Sequence, residues 1–377
     1  MRALDLALLG DIILDVPDPD HWLSGIADVT RAADVTIGHL EVPHTRRGAE
    51  LVGDVPAPGA DPDHLAALAR AGIDAVSMAG NHIADCGAEG IADTNAELDR
   101  LGIAHSGAGA TLAAATAPAW IERDGRRVVL LSYNCVGPEI SWATETRAGS
   151  AYVSVRAVDG GPTRPQADLR EIDPASAAAM AAAIAAVRGP DTLVIVALHK
   201  GITHRPAELA PYERPLAHAA IDAGADVVVG HHAHIVRGIE IYRDRPIYHG
   251  LGNGVVVTNA LSPGQDHPAR AAWVERRKRM FGFVPDPAYT LAPFHPEAVN
   301  GMIGSIRWRP DGTLDIGYIP IFIEPPGRPV VAMGAARARV AAYIDEITER
   351  AALPKLAMTE DGIRLVRRRT QSNGLAS

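Results

Sequence analysis

The sequence predicts an α/β protein whose strands are covered on both faces. Apolar runs of strand length recur as LDLALLG (4–10), DVTIG (34–38), IDAVSMAG (73–80), RRVVLLSY (126–133), TLVIVALH (192–199) and ADVVVGHH (225–232). Alanine- and leucine-rich stretches of helical length lie between several of them, at 61–71, 88–101, 174–188 and 207–223. Continuous apolar runs mark strands buried on both sides, and their alternation with helices marks the α/β class. With 47% apolar and 21% charged residues in 377, the chain has the composition of a folded globular protein.

The punctuation supports these elements in order. Asp61 and Asp173 each precede a proline that opens a helical stretch, the arrangement of an N-cap followed by proline at the first helical position, and Gly72 closes the first of these helices. Residues 300–323 read as two strands joined by a Pro-Asp-Gly turn. Between 259 and 299 the chain is proline-rich and weakly periodic; this length of connection reads as an insertion beside a substrate pocket. Residues 334–350 read as a helix and 366–377 as a polar tail. No linker divides the chain, so 1–330 is read as one domain and 331–377 as a C-terminal helix and tail.

Composition also excludes functions. A net charge of −9 without a basic stripe lacks the footprint of a nucleic-acid surface. Cys86 and Cys135 are too few and too far apart for a disulfide framework or a cysteine zinc site. The N-terminal apolar run is short and broken by Asp5, and no later run reaches the length of a membrane span. The expectation is a cytoplasmic protein with neither membrane nor nucleic-acid partners.

Chemistry is concentrated just after the apolar runs. Asp11 follows the first, His39 and Glu41 the second, Asn81 and His82 the third, His199 the fifth, and His231, His232 and His234 the last. Each has an ordinary explanation when taken alone. Asp11 or Asn81 would serve as a cap, and His199 as a hydrogen-bonded core histidine. Together they sit at strand ends, where α/β sheets bind ligands. Carboxylates, imidazoles and an amide are the donor mixture of a divalent-metal site, and without thiolates a catalytic site is favoured over a closed structural one.

The order Gly10-Asp11, His39-Leu40-Glu41, Gly80-Asn81-His82 with Asp85, His199-Lys200-Gly201, Gly230-His231-His232-Ala233-His234 and YHGLGN (248–253) resembles the CapA family, named for poly-γ-glutamate capsule biosynthesis, within the calcineurin-like metallophosphoesterase superfamily. The resemblance covers roughly residues 4–255 and, more weakly, 300–323. It implies a four-layer sandwich, two mixed β-sheets flanked by helices, and two divalent ions such as Mn, Zn or Fe at the strand ends. On that pattern Asp11 and His234 serve one ion, Asn81, His199 and His232 the other, and Glu41 bridges them. His82 acts on the leaving group, with Asp85 orienting it.

Two departures stand out. Ile13 occupies the position where metallophosphoesterases carry a histidine, and His39 stands where the CapA pattern has asparagine. Since alternate residues of an extended segment share a face, His39 either joins Glu41 as a ligand or supports the ligands from behind. By the same rule an extended His-His-x-His run puts His232 and His234 on one face and turns His231 away. Lys200 reads as a solvated or substrate-facing charge. Arg276 and Arg277 read either as a solvated helix face or as guides for an anionic substrate, and His295 as a further pocket contact.

The function expected is metal-dependent hydrolysis of an amide, ester or lactone in a small or γ-glutamyl-type substrate. The alternatives are phosphomonoester or phosphodiester hydrolysis, and a non-hydrolytic part in γ-glutamyl polymer synthesis.

Overall fold

Strand parity organises the molecule. A computed structural model describes residues 1–49, 59–261, 268–354, 356–359 and 364–367. In the strand Thr192–His199, Leu193, Ile195 and Ala197 face one apolar cluster, while Val194, Val196 and Leu198 face another. Val227 and Val229 are likewise separated from Val228 in the strand Val227–His231. The first strand, Leu4–Asp15, sends Leu6 and Leu8 one way and Ala7 and Leu9 the other. Both faces of each strand are therefore buried, which is why the sequence shows continuous apolar runs instead of alternation.

The strands form a ten-stranded and a six-stranded mixed sheet. Leu6, Leu8, Val35 and Ile37 of the larger sheet meet Leu193, Ile195, Val227 and Val229 of the smaller in one shared core. Fully burying such a side chain is worth about 1.5–3 kcal/mol. The outer face of the larger sheet packs on Leu65 and Leu68 and on Ile91 and Leu98, from the helices Leu65–Arg70 and Gly87–Leu101. That of the smaller packs on Met180 and Ile184 and on Leu216 and Ile221, from Pro174–Val187 and Glu213–Ala223. Helix, sheet, sheet and helix make the four layers expected. The Asp61 and Asp173 side chains accept the backbone N–H groups of Asp63 and Ser176, each at 3.0 Å, and act as caps.

Some elements differ from expectation. The helix sought at 207–223 starts only at Glu213, because 201–212 forms a loop that reaches the functional site. The region 259–299 contains a helix, Pro268–Phe281, whose basic residues obscured its period. The helix Gly334–Arg350 places Val340 and Ile344 in the core shared by the two sheets. The strand Arg364–Arg367 pairs with Leu314–Glu324 and takes 366 and 367 out of the expected polar tail; the remainder of the tail lies outside the described residues.

Candidate metal centre

Parity also aims the polar side chains. His199 continues the series Leu193, Ile195, Ala197, and His231 continues Val227, Val229; the two are register partners at the ends of adjacent parallel strands. Across the interlayer, His39 continues Val35 and Ile37 and is paired with Ser77 on one side and Asp11 on the other. Asp11 follows a register irregularity after Leu8, at the point where its strand exchanges an antiparallel neighbour, Asn300–Trp308, for a parallel one, Asn253–Thr258. Strand irregularities and topological switch points of this kind are where sheets present ligand sites. Gly10 permits the exchange, since a Cβ there would lie 1.9 Å from the Gly252 carbonyl oxygen.

Two groups of donors result, each with its ligand atoms within 4.8 Å of one another: Asp11, His39 and His199, and Asp11, Glu41 and His234. Asn81 Oδ1 lies 2.7 Å from His199 Nε2, and His232 Nδ1 lies 3.1 Å from the same nitrogen. His234 Nε2 stands 3.2 Å from Glu41 Oε1, and its Nδ1 is 2.9 Å from Asn253 Oδ1. Gly80 lets this assembly close, because a Cβ there would press on the His39 ring at 3.1 Å and on His199 at 3.3 Å. His82 Nδ1 is 2.7 Å from Asp85 Oδ2, the orienting pair the sequence suggested.

The geometry corrects several expectations. His231 does not turn away: its Nδ1 is 3.3 Å from Asp11 Oδ1 and its ring stacks on His39 at 4.6 Å. The strand ends at His231, and positive φ values of 86° and 54° at His232 and His234 fold those residues back to the same side. Asp11 is common to the two donor groups, and Glu41 belongs to the one with His234. Lys200 is neither solvated nor substrate-facing; it is buried against Glu213 Oε2 at 2.7 Å. Ile13 packs in an apolar cluster with Val42 and Phe294. Arg276 is exposed on its helix, and the Arg277 side chain lies outside the described residues. The His295 ring is half-engaged elsewhere, its Nδ1 accepting the Glu297 N–H at 3.1 Å, though the residue does line a cavity beside Asn253.

Sequence reasoning missed Thr203 and His204 and gave Asn253 no role of its own. Thr203 Oγ1 lies 3.0 Å from His232 Nε2, and the His204 ring stacks on His234 at 5.7 Å. His204 adopts φ +58°, a conformation uncommon for a side chain of its size, and no local sequence signal marks it. YHGLGN did point toward Asn253.

Burial lowers the pKa of His39 to about 4 and those of His231 and His232 to about 3, with His231 adding to the effect at His39, and it pushes His199 well below the ordinary value. These rings are neutral and able to offer lone pairs. Burial would lower His234 as well, but Glu41 and Asp11 raise it to about 9, and His234 in turn holds the buried Glu41 at about 2. Burial and the neighbouring Glu41 charge raise Asp11 to about 7.

Asp11 Oδ2, both Glu41 carboxylate oxygens, His39 Nε2 and His199 Nδ1 are buried without a well-directed hydrogen bond. Leaving such atoms unsatisfied costs about 1–3 kcal/mol each. A divalent cation is what this donor chemistry fits, since carboxylate oxygen and neutral imidazole are ligands for Zn, Mn or Fe.

Residues 5–257 match the model of the family described as bacterial capsule synthesis protein PGA_cap. The chain belongs to that family. It is 29% identical over 306 residues to the uncharacterized protein y4sH of Sinorhizobium fredii, covering 66% of this chain and 65% of that one. It is 36% identical over 197 residues to a probable polyglutamine synthesis accessory protein of Mycobacterium tuberculosis, covering 52% and 48%. It is also 28% identical over 191 residues to the capsule biosynthesis protein CapA of Bacillus anthracis, covering 50% and 41%. The aligned parts thus span less than two thirds of each of these relatives. Among solved structures, a hypothetical protein from Thermus thermophilus aligns with a TM-score of 0.46 at 16% identity, over 86% of this chain and all of that one. The calcineurin-like phosphoesterase YfkN from Bacillus subtilis aligns with a TM-score of 0.39 at 13% identity, over 93% and 98%. No helix among the described residues is long and apolar enough to cross a membrane.

Proposed function

We propose that this PGA_cap family member is a metal-dependent hydrolase of amide, ester or lactone bonds in a small molecule. The observation that carries the reading is the convergence, between the two sheet ends, of buried carboxylate and imidazole atoms that lack a well-directed hydrogen bond. Asp11, Glu41 and His234 would hold one divalent ion, and His39, His199, Asn81 and His232 a second, with Asp11 shared. When bound, such ions supply a water acidic enough to attack at neutral pH and polarise the bond it attacks.

The chain's own residues complete the chemistry. His82 would donate a proton to the leaving atom, a role supported by Asp85, whose Oδ2 holds its Nδ1 at 2.7 Å. Thr203 and Asn253 fix the rings of His232 and His234 as supporting hydrogen-bond partners do in metal sites. Lys200 and Arg237, the buried cations beside the site, are committed to Glu213 and to the carbonyls of Ile202 and Glu208. Neither is available to a substrate, so charge stabilisation at the scissile bond would fall to the ions themselves, and phosphoester hydrolysis is the alternative chemistry of the same centre. The names of the relatives favour a second reading, an accessory role in γ-glutamyl polymer synthesis without hydrolysis.

The test is a substrate panel of p-nitrophenyl esters, γ-glutamyl amides, p-nitrophenyl phosphate and bis-p-nitrophenyl phosphate, assayed with and without chelator. Chelator-sensitive ester or amide turnover supports the proposal. Turnover of the phosphates alone replaces it with phosphoesterase activity, and no turnover by a metal-loaded protein favours the accessory role.

A further inference from the structure

Aromatic rings crowd one side of the candidate centre. Three of the chain's four phenylalanines, Phe281, Phe283 and Phe294, surround His204 at centroid distances of 4.8, 5.3 and 5.6 Å. Phe294 also packs on His234 at 4.7 Å. On another side Phe294 lines a cavity of about 140 Å³, together with Asn253, Tyr289, Ala292, Ala298 and Ile323. Asn253 belongs to both the cavity wall and the centre, since its Oδ1 lies 2.9 Å from His234 Nδ1.

Size and lining say what the cavity takes. A volume near ~150 Å³ bounded by apolar side chains is enough to hold one benzene ring. Most of the lining is apolar; among the described residues its polar members are Asn253, Tyr289, His295 and the carboxylate Asp286, with no lysine or arginine. A carboxylate of a γ-glutamyl chain entering here would lose its hydration without gaining a lysine or arginine partner among the described residues. An apolar ring would be desolvated favourably, as in most small-molecule pockets.

We infer that this cavity is a specificity subsite for an uncharged, apolar group of about one aromatic ring, carried by the substrate whose scissile bond lies at the metals. The inference rests on the hydrolase reading for what the cavity serves, but its occupancy does not depend on metal or turnover. The occupant of this subsite is therefore unlike the polyanion that gives the family its name.

The experiment uses full-length protein in metal-loaded and chelator-treated forms, titrated with benzyl alcohol and, separately, with γ-glutamylglutamate. Binding is followed by NMR of the alanine methyl groups. The expected result is saturable binding of benzyl alcohol in both forms, with intermolecular NOEs from the ring to the Ala292 and Ala298 methyls. Affinity should fall at least tenfold in Ala298→Leu and in Ala292→Leu, each checked for native circular dichroism and metal content, and γ-glutamylglutamate should not compete. Absence of NOEs to either methyl in the wild-type protein overturns the inference whatever the variants do. So does unchanged affinity in both folded variants, or displacement of benzyl alcohol by γ-glutamylglutamate. Loss of hydrolytic activity across all substrates, with ring binding intact, would instead count against the hydrolase reading alone.

Discussion

His39 Nδ1 lies 2.9 Å from Ser77 Oγ, its register partner on the neighbouring strand, and the other ring nitrogen, Nε2, is buried without a hydrogen bond in a residue grouped with Asp11 and His199. His39→Ala is expected to lose most of the bound metal. Ser77→Ala, which keeps the ring but frees its rotation, is expected to weaken metal binding about 10-fold. Competition with a chromophoric chelator measures both. Wild-type affinity in His39→Ala would show that this histidine is no ligand.

The His82–Asp85 pair separates proton transfer from metal binding. His82→Asn should lower kcat by about 10²–10⁴-fold while leaving metal content unchanged, with Asp85→Asn losing less. Metal analysis beside steady-state kinetics checks this, and a parallel loss of metal would move His82 into the ligand set.

Beneath the centre, Lys200 and Arg237 share the buried Glu213, at 2.7 and 3.6 Å. Breaking a buried ion pair strands its other member, so Lys200→Met is expected to cost about 3–5 kcal/mol in urea unfolding. A neutral outcome would mean that Arg237 alone satisfies Glu213.

Acid stability should depend on Glu240. Burial pushes its carboxyl upward, but hydrogen bonds involving His249, Arg214 and His218 overcome this and hold it well below the usual range. A carboxylate depressed in the folded state contributes stability above its unfolded pKa of about 4.3, and that contribution drains away as pH falls through the folded value. Glu240→Gln is therefore expected to be less stable than wild type by about 1–3 kcal/mol at pH 7, with the gap narrowing as pH falls below about 4. Urea midpoints across pH 3–7 test the sign; a gap that widened toward acid would contradict it.

Much of this centre was legible in the sequence, because continuous apolar runs locate strands and the residues after them locate strand ends. Asp11, His39, Glu41, His199 and His234 fall within the donor groups on that reasoning alone, and Asn81 and His232 within hydrogen-bond range of His199. His231 was misread although the same parity, counted from Val227 and Val229, points it inward. The error lay in extending the strand through His234, where the backbone turns. Lys200 was misread because its partner Glu213 arrives from a later helix. His204 and the phenylalanines around it meet only through tertiary packing, and no local pattern announces that.

The most direct test of the dinuclear reading is the metal stoichiometry of chelator-stripped protein, titrated with Mn, Zn or Fe and measured by plasma mass spectrometry after gel filtration. Two ions per chain are expected in the wild type, fewer in His234→Ala and in His199→Ala, and the fewest in Asp11→Asn, whose side chain belongs to both donor groups. A wild-type protein that retains no ion at saturating metal, or an Asp11→Asn protein that retains two, would contradict it.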